Sequence, residues 1–396
     1  DLHSFPTRRS SDLTNEELIA VSDTMHVAIA AGGTAGHINP ALALAEELKR
    51  RGHELTFFGQ PTRLEATLVP QVGFSFVPIE VTGFDRSRPW TLATALWRMH
   101  RAQRRINDYF DVHGTPDVAV GFGAYVEMPL LRCCHAKGVA CVLHEQNSVP
   151  GLANRLLARK ADCVCVSLPI AIDAFKSRVS AQTQIVVTGN PVRQSVIDAS
   201  REAGRANNNI PDNATLLLVF GGSLGAQHLN DGLVALKDKL LSHAGLYVLH
   251  STGKKDFDRV VAELHLSEKE RCRWRVVPYI DAMGEALAAA DLVLSRAGAS
   301  SIAEIAALAV PALLIPYPFA TADHQTVNAR YLVDAGAAVL LSDDQIDTPS
   351  FLENLLGLID DGERRASMRQ AAKSLAQDRA AMALADQVEG AEALGT

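Results

Sequence analysis

Short apolar runs alternate with longer amphipathic stretches along the chain. The first run, residues 27–31, is followed by a glycine-rich turn, GGTAGH (32–37), and then by ALALAEELKRRG, which has the composition of a helix. Comparable apolar runs lie within 53–59, 116–123, 138–147, 162–169 and 184–193, and later within 215–220, 245–250, 273–280, 291–298 and 310–318. Continuous apolar strands separated by helices are typical of parallel sheets covered on both faces. The pattern therefore predicts an α/β fold.

The pattern begins again after residues 201–213, which are polar and rich in turn-forming residues. AIAAGGTAGH and LLVFGGSLGA both read as a strand, two glycines, Thr or Ser, one further residue and Gly. Two similar halves predict two Rossmann-like domains whose parallel sheets face a cleft, with ligands beyond the carboxyl ends of the strands. We assign residues 25–191 to the first domain and 192–374 to the second. The alanine-rich tail is predicted to be helical over 367–394, and its part from about 375 to 396 to pack back on the first domain.

The first 24 residues differ from the rest of the chain. They show no apolar period and no signal-peptide apolar region, whereas Met25 opens a clean strand, MHVAIAA. We therefore expect residues 1–24 to be an extraneous or disordered extension of the fold.

Composition and charge narrow the class of protein. The chain has 396 residues, enough for two domains, with 47% hydrophobic and 21% charged residues, as in globular proteins. A net charge of −7 offers no general attraction for nucleic acid. No apolar run reaches the roughly 18 residues that span a bilayer. The six cysteines form no C-x-x-C pair, which favours reduced, buried thiols and a cytoplasmic protein.

Six motifs carry a resemblance to a known family. GGTAGH, LHEQN, GNPVR, GGSLGA, RAGASSIAEIA and DHQTVNA occur in this order, and the similarity extends from Met25 to the C-terminus. The chain resembles the MurG family, inverting glycosyltransferases of the GT-B fold. The resemblance implies transfer of N-acetylglucosamine from UDP-GlcNAc to a lipid-linked muramyl-pentapeptide in peptidoglycan synthesis. It also implies that no cofactor and no metal is needed.

The resemblance also implies roles for matching residues. His37 corresponds to a residue near the acceptor, and Glu145 and Asn147 to residues at the sugar cleft. The other matched positions bind substrate: Thr34, Ala35 and Gly36 contact the donor sugar and phosphates, Arg193 and Ser223 the diphosphate, Ile280 the uracil, Ala299, Ser300, Ser301, Ile302, Ala303 and Glu304 the nucleoside, and Gln325 the donor GlcNAc. Glu304 corresponds to the residue that binds the ribose, because an ionised carboxylate can accept hydrogen bonds from both ribose hydroxyls.

Two motifs depart from the family pattern. The usual GFGGYVSGP is GFGAYVEMP here, so Ala124 replaces a glycine, and Glu127 and Met128 replace small residues. Tyr125 is retained and stays a candidate acceptor contact. His324 stands where some members have a first glutamine before Gln325.

A nucleotide-sugar transferase must stabilise a leaving diphosphate. The only Asp-x-Asp pair, Asp256 and Asp258, is more typical of a charged helix start than of a metal site. Helix N-termini and cations are then the means of neutralising the charge. Arg193 and the glycine loop 221–226, with Ser223, can supply them.

Inversion at the donor sugar requires a base for the acceptor hydroxyl. His37 stands where the first glycine loop meets its helix, and the ordinary pKa of histidine suits proton transfer near neutral pH. Glu145 is the rival base, and its alternative role is to orient its loop by accepting backbone N–H groups. His37 could equally serve only as a capping or hydrogen-bonding residue.

A polyprenyl acceptor requires a surface that meets a membrane, and residues 84–106 are the candidate. Six arginines and no carboxylate lie between positions 86 and 105. At about 100° per residue one helix face, predicted to pack on the core, holds Leu92, Leu96, Met99 and Ile106. The opposite face, predicted to meet anionic headgroups, holds Trp90, Trp97, Arg101 and Arg104. The alternative is a solvated basic helix.

The prediction is a peripheral enzyme at the cytoplasmic face of the cell membrane. The first alternative is a related GT-B glycosyltransferase acting on another lipid acceptor. A UDP-sugar epimerase of similar build and a non-catalytic sugar-nucleotide-binding scaffold are further alternatives. A nicotinamide-dependent enzyme is disfavoured because neither glycine loop reads G-x-G-x-x-G.

Overall fold

The computed structural model describes residues 24–83, 90–222 and 226–392, which contain two parallel sheets. The first sheet contains His26–Ala30 (β1), Glu54–Gly59 (β2), Ser75–Pro78 (β3), Val118–Gly121 (β4), Ala140–Glu145 (β5), Cys163–Val166 (β6) and Gln184–Val187 (β7). The second contains Thr215–Phe220 (β8), Leu246–Ser251 (β9), Trp274–Val277 (β10), Leu292–Ser295 (β11), Ala312–Leu314 (β12) and Ala338–Leu340 (β13).

Helices cover both faces of each sheet. Before the second sheet they are Ala35–Arg50 (α1), Glu65–Gln71 (α2), Thr91–His113 (α3), Glu127–Ala136 (α4), Leu152–Leu157 (α5), Ile172–Lys176 (α6), Gln194–Ile197 (α7) and Arg201–Asn207 (α8). After β8 they are Gln227–Ala235 (α9), Lys237–Ser242 (α10), Phe257–Leu264 (α11), Glu268–Arg271 (α12), Met283–Ala289 (α13), Ala299–Ala307 (α14), His324–Val333 (α15), Pro349–Asp360 (α16), Gly362–Lys373 (α17) and Ala380–Glu392 (α18). Short 3₁₀ turns occupy Ala158–Lys160, Pro169–Ala171, Thr321–Asp323 and Asp343–Asp347.

Strand order is the same in the two halves. The first sheet runs β3-β2-β1-β4-β5-β6-β7 and the second β10-β9-β8-β11-β12-β13, with every pairing parallel. The order reverses beside β1 and beside β8, so a crevice opens beyond the carboxyl ends of the neighbouring strands. The predicted α/β fold with two parallel sheets is confirmed, and the repeat seen in sequence is a repeat of topology.

The structure differs from the sequence reading in three segments. Residues 201–213 contain a helix, α8, whose start is capped by the Ser200 side chain accepting the Ala203 N–H at 3.3 Å. The tail is two helices, α17 and α18, separated at 374–379. The short strands β3 and β13 were not anticipated. The expectation for residues 1–24 falls almost wholly on residues outside the described ranges, and the domain limits stay a prediction.

The C-terminal helix completes the core beneath the first sheet. Leu384 and Val388 of α18 are fully buried in the same apolar cluster as Val27 and Ile29 of β1. Arg51, beyond the end of α1, bonds to Glu389 of α18 at 2.6 Å. The helix α18 therefore belongs to the same half of the molecule as β1.

The two segments that connect the halves pack on each other. The backbone N–H of Asn190 donates to Gln377 Oε1 at 3.1 Å, and Gln377 Nε2 donates to the Tyr331 hydroxyl at 3.0 Å. Gly189 has a φ of 82°, and a Cβ there would lie 2.4 Å from Gln377 Oε1. This crossing restricts how the two sheets are placed around the cleft.

We expect Leu384→Ala to lower the free energy of unfolding by about 2–5 kcal/mol, because it opens a cavity in a fully buried cluster. Urea unfolding followed by circular dichroism measures the change. The exposed Glu392→Ala on the same helix is the control and should stay within about 0.5 kcal/mol of the parent. Equal stability of the two variants would show that α18 is not part of the first core.

Candidate active site

The helix that follows β1 and the helix that follows β11 begin at the same place. The Ser300 hydroxyl, in the first turn of α14, donates to the carbonyl of Gly36 in the first turn of α1 at 3.2 Å. Helix N-termini expose unpaired N–H groups and the positive end of the helix dipole. The convergence of two such ends from different halves marks the cleft as a place for an anionic ligand.

The first glycine loop is held from behind by a buried carboxyl group. Glu65, at the start of α2, is fully buried. Its Oε2 accepts the Gly33 N–H at 3.1 Å and its Oε1 accepts the Gln60 N–H at 3.0 Å. A Cβ at Gly32 would lie 2.6 Å from the same Oε1, so the loop has room for glycine alone there. Glu65 thus fixes the turn from which α1 starts.

His37 lies half-buried in the first turn of α1. Its Nδ1 is 3.2 Å from the Thr34 hydroxyl oxygen. The other edge of the ring faces Gly123, where a Cβ would lie 3.1 Å from Cδ2 and 3.2 Å from Nε2. Burial lowers the pKa of His37 below its ordinary 6.5, against the opposing effect of the nearby Glu145. The imidazole is therefore neutral at neutral pH, the form that can accept a proton.

Glu145 ends β5 and is buried, and four donors converge on its carboxyl group. Oε1 accepts the backbone N–H of Asn147 at 3.0 Å and its side-chain amide at 3.3 Å. Oε2 accepts the Gly151 N–H at 2.9 Å and the Asn154 amide at 2.8 Å. Both oxygens are engaged with the loop that follows the strand. This arrangement supports the loop-orienting role of Glu145 over the role of base.

Asn328 of α15 connects the loop after β5 to the second half of the chain. Its Oδ1 accepts the Ser148 N–H at 3.0 Å, and its Nδ2 donates to Asn147 Oδ1 at 3.3 Å. The Ser148 hydroxyl donates to the carbonyl of His324 at 3.3 Å. Asn147 is therefore held from both sides of the cleft.

Arg193, the predicted diphosphate contact, forms an ion pair with Glu46 of α1. Its Nε and Nη2 donate to the same Oε1 of Glu46 at 2.9 and 2.6 Å. Both side chains are about 30% exposed, so the pair is reachable from the cleft. A diphosphate bound through the same two N–H groups of Arg193 would have to displace this carboxylate.

Glu304 lies half-buried in α14 and faces the same helix α1. Burial raises the pKa of its carboxyl group to about 7, while a hydrogen bond from Asn39 and the charge of Arg193 act in the opposite direction. At neutral pH the group is thus poised between its two protonation states. Its ionised form is the one that can accept two vicinal hydroxyls.

Gln325 and Ile280 lie in the second half. The Gln325 side-chain oxygen accepts the N–H of Ala297 at 3.2 Å and that of Tyr317 at 2.9 Å, which joins the loops after β11 and β12. Phe319, on the same loop as Tyr317, is 80% exposed. Ile280 follows β10, and its partly buried side chain packs on the core.

The remaining predicted contacts lie at four places in the chain. Ala299–Glu304 form the first turns of α14. Thr34 immediately precedes α1, and Ala35 is the first residue of that helix. Tyr125 packs against Gly83, where a Cβ would lie 2.5 Å from its ring. Ser223 lies outside the described residues.

Asp256 does not present a free carboxylate. It accepts the Asn230 amide at 2.8 Å and two nitrogens of Arg259 at 3.1 and 3.0 Å, and Asp258 follows in the first turn of α11. Over the described ranges, no group of three or more His, Cys, Asp and Glu side chains could hold a metal ion.

The arginine-rich helix α3 differs in one respect from the sequence expectation. Its buried residues are Ala102, Ile106 and Phe110. Leu92 and Leu96, expected on the core-facing side, are 45% and 59% exposed. That expectation was wrong because the core reaches only the C-terminal half of the helix.

The predicted headgroup-facing residues of α3 are exposed. Trp90 is 72% and Trp97 58% exposed, and the Arg101 guanidinium lies 5.6 Å from the Trp97 ring centre. In the part of the chain that the structure describes, no helix is both long and apolar enough to span a bilayer.

Comparison with known proteins gives a consistent result. Residues 27–166 match the glycosyltransferase family 28 N-terminal domain and residues 216–385 the family 28 C-terminal domain. The UDP-N-acetylglucosamine–N-acetylmuramyl-(pentapeptide) pyrophosphoryl-undecaprenol N-acetylglucosamine transferase of Halothermothrix orenii is 37% identical over 371 residues, 92% of this chain and 98% of that protein. The protein of the same name from Salinibacter ruber is 40% identical over 368 residues, 92% and 96% of the two chains. The crystal structure of Acinetobacter baumannii MurG is 28% identical with a TM-score of 0.69, covering 92% and 99%. The chain belongs to the MurG family.

Membership of the MurG family confirms the resemblance inferred from the six motifs and the GT-B arrangement. The roles of the individual residues stay predictions. The structure also places at this MurG-type cleft three residues that the sequence reading did not assign to it, Glu46, Glu65 and Asn328. Asn328 lies within the motif DHQTVNA, which offered a signal. Glu46 and Glu65 lie in ordinary helical sequence, which offered none.

Because the pKa of Glu304 is raised to about 7, we expect donor affinity to increase with pH. Protonated Glu304 cannot accept hydrogen bonds from both ribose hydroxyls. The affinity for UDP-GlcNAc should therefore be low below the pKa of Glu304 and rise as the pH passes through it. Between about pH 6 and pH 8 the ionised fraction, and with it the association constant for UDP-GlcNAc, should rise about tenfold. UDP-GlcNAc has both phosphates esterified and does not itself titrate in this range. Calorimetry measures the constant at each pH.

Glu304→Gln is the control for this titration and should bind with a constant that does not change over the same range. A wild-type affinity that is flat across it would contradict the assignment of Glu304 to the donor.

Proposed function

We propose that this chain transfers N-acetylglucosamine from UDP-GlcNAc to a muramyl-pentapeptide carried on a polyprenyl diphosphate, the step that converts lipid I to lipid II. The observation that carries the proposal is identity of 37–40% over 92% of the chain to transferases named for this reaction. The junction of two helix starts at one cleft supports it, because the donor carries a diphosphate.

The donor is assigned to the second half of the chain. The first turns of α14 lie at the nucleoside, with Glu304 on the ribose. Arg193 and the N–H groups of residues 221–226 neutralise the diphosphate as it leaves, without a metal. Arg193 exchanges Glu46 for the diphosphate, which turns one ion pair into another within the same cleft.

The acceptor is assigned to the first half, with His37 as base. With its proton on Nδ1, His37 donates a hydrogen bond to the Thr34 hydroxyl oxygen. The lone pair of Nε2 is then free to take up the proton of the acceptor hydroxyl. The hydroxyl oxygen attacks the anomeric carbon from the face opposite the leaving group. The proton passes to Nε2, and the bonding electrons leave with UDP. Glu145 orients the neighbouring loop through its four hydrogen bonds.

The N-terminal turns of α3 are assigned to an anionic membrane surface at the cytoplasmic face. Exposed tryptophans favour the headgroup region, and arginines attract anionic lipids. Trp90, Trp97 and Arg101 meet this description, and the exposed Leu92 and Leu96 add apolar surface that can enter the interface.

Purified chain should convert a lipid-linked muramyl-pentapeptide and UDP-GlcNAc to the disaccharide product, and chromatography of radiolabelled product measures this turnover. His37→Ala should lower kcat by about 10²–10⁴, the usual contribution of a general base, with donor affinity unchanged. His37→Gln keeps the hydrogen-bonding capacity but cannot take up a proton, so it should be as slow as His37→Ala. A His37→Gln variant that keeps most of the activity would leave His37 only a positioning role. Failure of the wild-type chain to turn over these substrates would contradict the function itself.

Replacement of Trp90 and Trp97 by Ser, and of Arg101 and Arg104 by Gln, should weaken binding to anionic vesicles. The two arginines alone contribute about 1 kcal/mol each near such a surface. Sedimentation with vesicles containing phosphatidylglycerol measures binding, and turnover of a short-chain soluble acceptor should persist. The exposed pair Arg364→Gln and Lys373→Gln on α17 removes the same charge elsewhere and should bind as the parent does. Equal losses in the two variants would assign the effect to net charge rather than to this surface.

A further inference from the structure

Glu127 has a carboxyl group where the family pattern has a small residue. It opens α4 and is fully buried. Its Oε2 accepts the backbone N–H of Gly123 at 2.5 Å, and its Oε1 has no hydrogen-bond partner among the described residues. A buried carboxyl group with one oxygen unpaired is costly, so this side chain is not explained by packing alone.

The backbone that Glu127 holds lies beside His37. Gly123 has a φ of 84°, and its open side faces the Cδ2 and Nε2 edge of the His37 ring at 3.1 and 3.2 Å from a Cβ position. A shift of the Gly123 backbone would therefore change the space around the nitrogen assigned to the acceptor hydroxyl.

The same turn contains a residue with an unfavourable backbone conformation. Ala124 has a φ of 65°, in the left-handed region where a Cβ is disfavoured. Glycine, which the family pattern has at this position, is free of that penalty. The strained turn is thus held by the hydrogen bond that Gly123 donates to Glu127. Like Ala124, Glu127 departs from the family pattern.

The burial of Glu127 opposes a charge on its carboxyl group beside the proposed base. Burial raises the pKa of Glu127 well above its ordinary 4.5; the Gly123 N–H opposes the shift and the neighbouring Glu145 adds to it. Burial therefore favours the neutral form of the carboxyl group. The charged or titratable groups that act on His37 from the packed elements are Glu145, Glu65 and His324.

We propose that Glu127 is a positioning residue of the transfer reaction: by accepting the Gly123 N–H it holds the strained Gly123–Ala124 turn against His37 and so fixes the imidazole toward the acceptor hydroxyl. The proposal rests on the role of His37 given under the proposed function. It assigns Glu127 no contact with either substrate.

Two variants of equal size separate the hydrogen bond from the space that the side chain fills. Glu127→Gln retains an oxygen that can accept the Gly123 N–H, whereas Glu127→Met fills the site without an acceptor. Both remove the same ionisable group from the first turn of α4. Leu131→Ala, on the same helix and buried to the same degree, is the control for lost packing.

Each variant is measured by kcat and KM, by thermal midpoint, and by the pKa of His37 from NMR of ¹³C-labelled histidine, assigned with His37→Ala. We expect Glu127→Met to lower kcat about 10–100-fold, as misplacement of a reacting group does, with KM for UDP-GlcNAc unchanged. The pKa of His37 should rise toward its ordinary value as the released turn admits water. Glu127→Gln should keep kcat within about threefold and the pKa of His37 unchanged. Leu131→Ala should lower the midpoint and leave both other readouts at wild-type values.

Equal kcat for the Gln and Met variants would overturn the proposal, as would a His37 pKa that is the same in all variants. A loss of kcat in Leu131→Ala as large as that in Glu127→Met would reduce Glu127 to a packing role and overturn it as well. Should His37→Ala itself retain full activity, the function of His37 fails, while the pKa readout still decides whether Glu127 holds the turn. Ala124→Gly, which removes the strain, should recover part of the activity of Glu127→Met.

Discussion

The loops at the carboxyl edge of the first sheet depend on one kind of interaction, a buried carboxyl group that accepts backbone N–H groups. Glu65 holds the loop after β1, Glu127 the loop after β4 and Glu145 the loop after β5. Loops at a sheet edge leave N–H groups unpaired, and a buried unpaired group costs as much as a lost hydrogen bond. Each carboxyl group removes that cost and makes its loop rigid. His37 lies on the helix that follows the first of these loops and beside Gly123 of the second, so the position of the proposed base depends on buried carboxyl groups.

The same buried carboxyl groups also influence the electrostatics of the cleft. Burial lowers the pKa of His37, and the nearby Glu145, a hydrogen bond to the Gly32 backbone and Glu65 oppose the shift. Burial raises the pKa of Glu127, so the neutral form of this carboxyl group is favoured while it supports its loop. A neutral imidazole beside acidic groups can take a proton and then be stabilised as a cation. The acidic surroundings thus favour the protonated product of the base step more than they alter its starting state.

Sequence reading predicted the parts of the molecule that local chemistry determines. Fully buried parallel strands produce apolar runs, so most strands and the repeated half were predictable. The strands β3 and β13, which were not predicted, are edge strands with one buried residue each. Glycine loops were predictable because their conformations exclude other residues. Glu65 was not, because it reaches a loop 32 positions away through a contact that no local pattern encodes. The wrong placement of Leu92 and Leu96 has a similar origin, since helical periodicity gives the face but not how far the core extends along it.

The contacts across the cleft have a consequence for the order of events. One set of these contacts comes from a single helix on the first-half side, α1: Gly36 accepts a hydrogen bond from Ser300, Asn39 lies beside Glu304, and Glu46 pairs with Arg193. The second-half partners are the groups proposed to bind the donor, so the proposed donor site and α1 share the same side chains. Wherever the donor displaces one of these contacts, its apparent affinity is reduced by the free energy of that contact. His37 lies in the first turn of the same helix, so a shift of α1 would change the position of the proposed base. The proposed donor site and the proposed base are therefore connected through one helix.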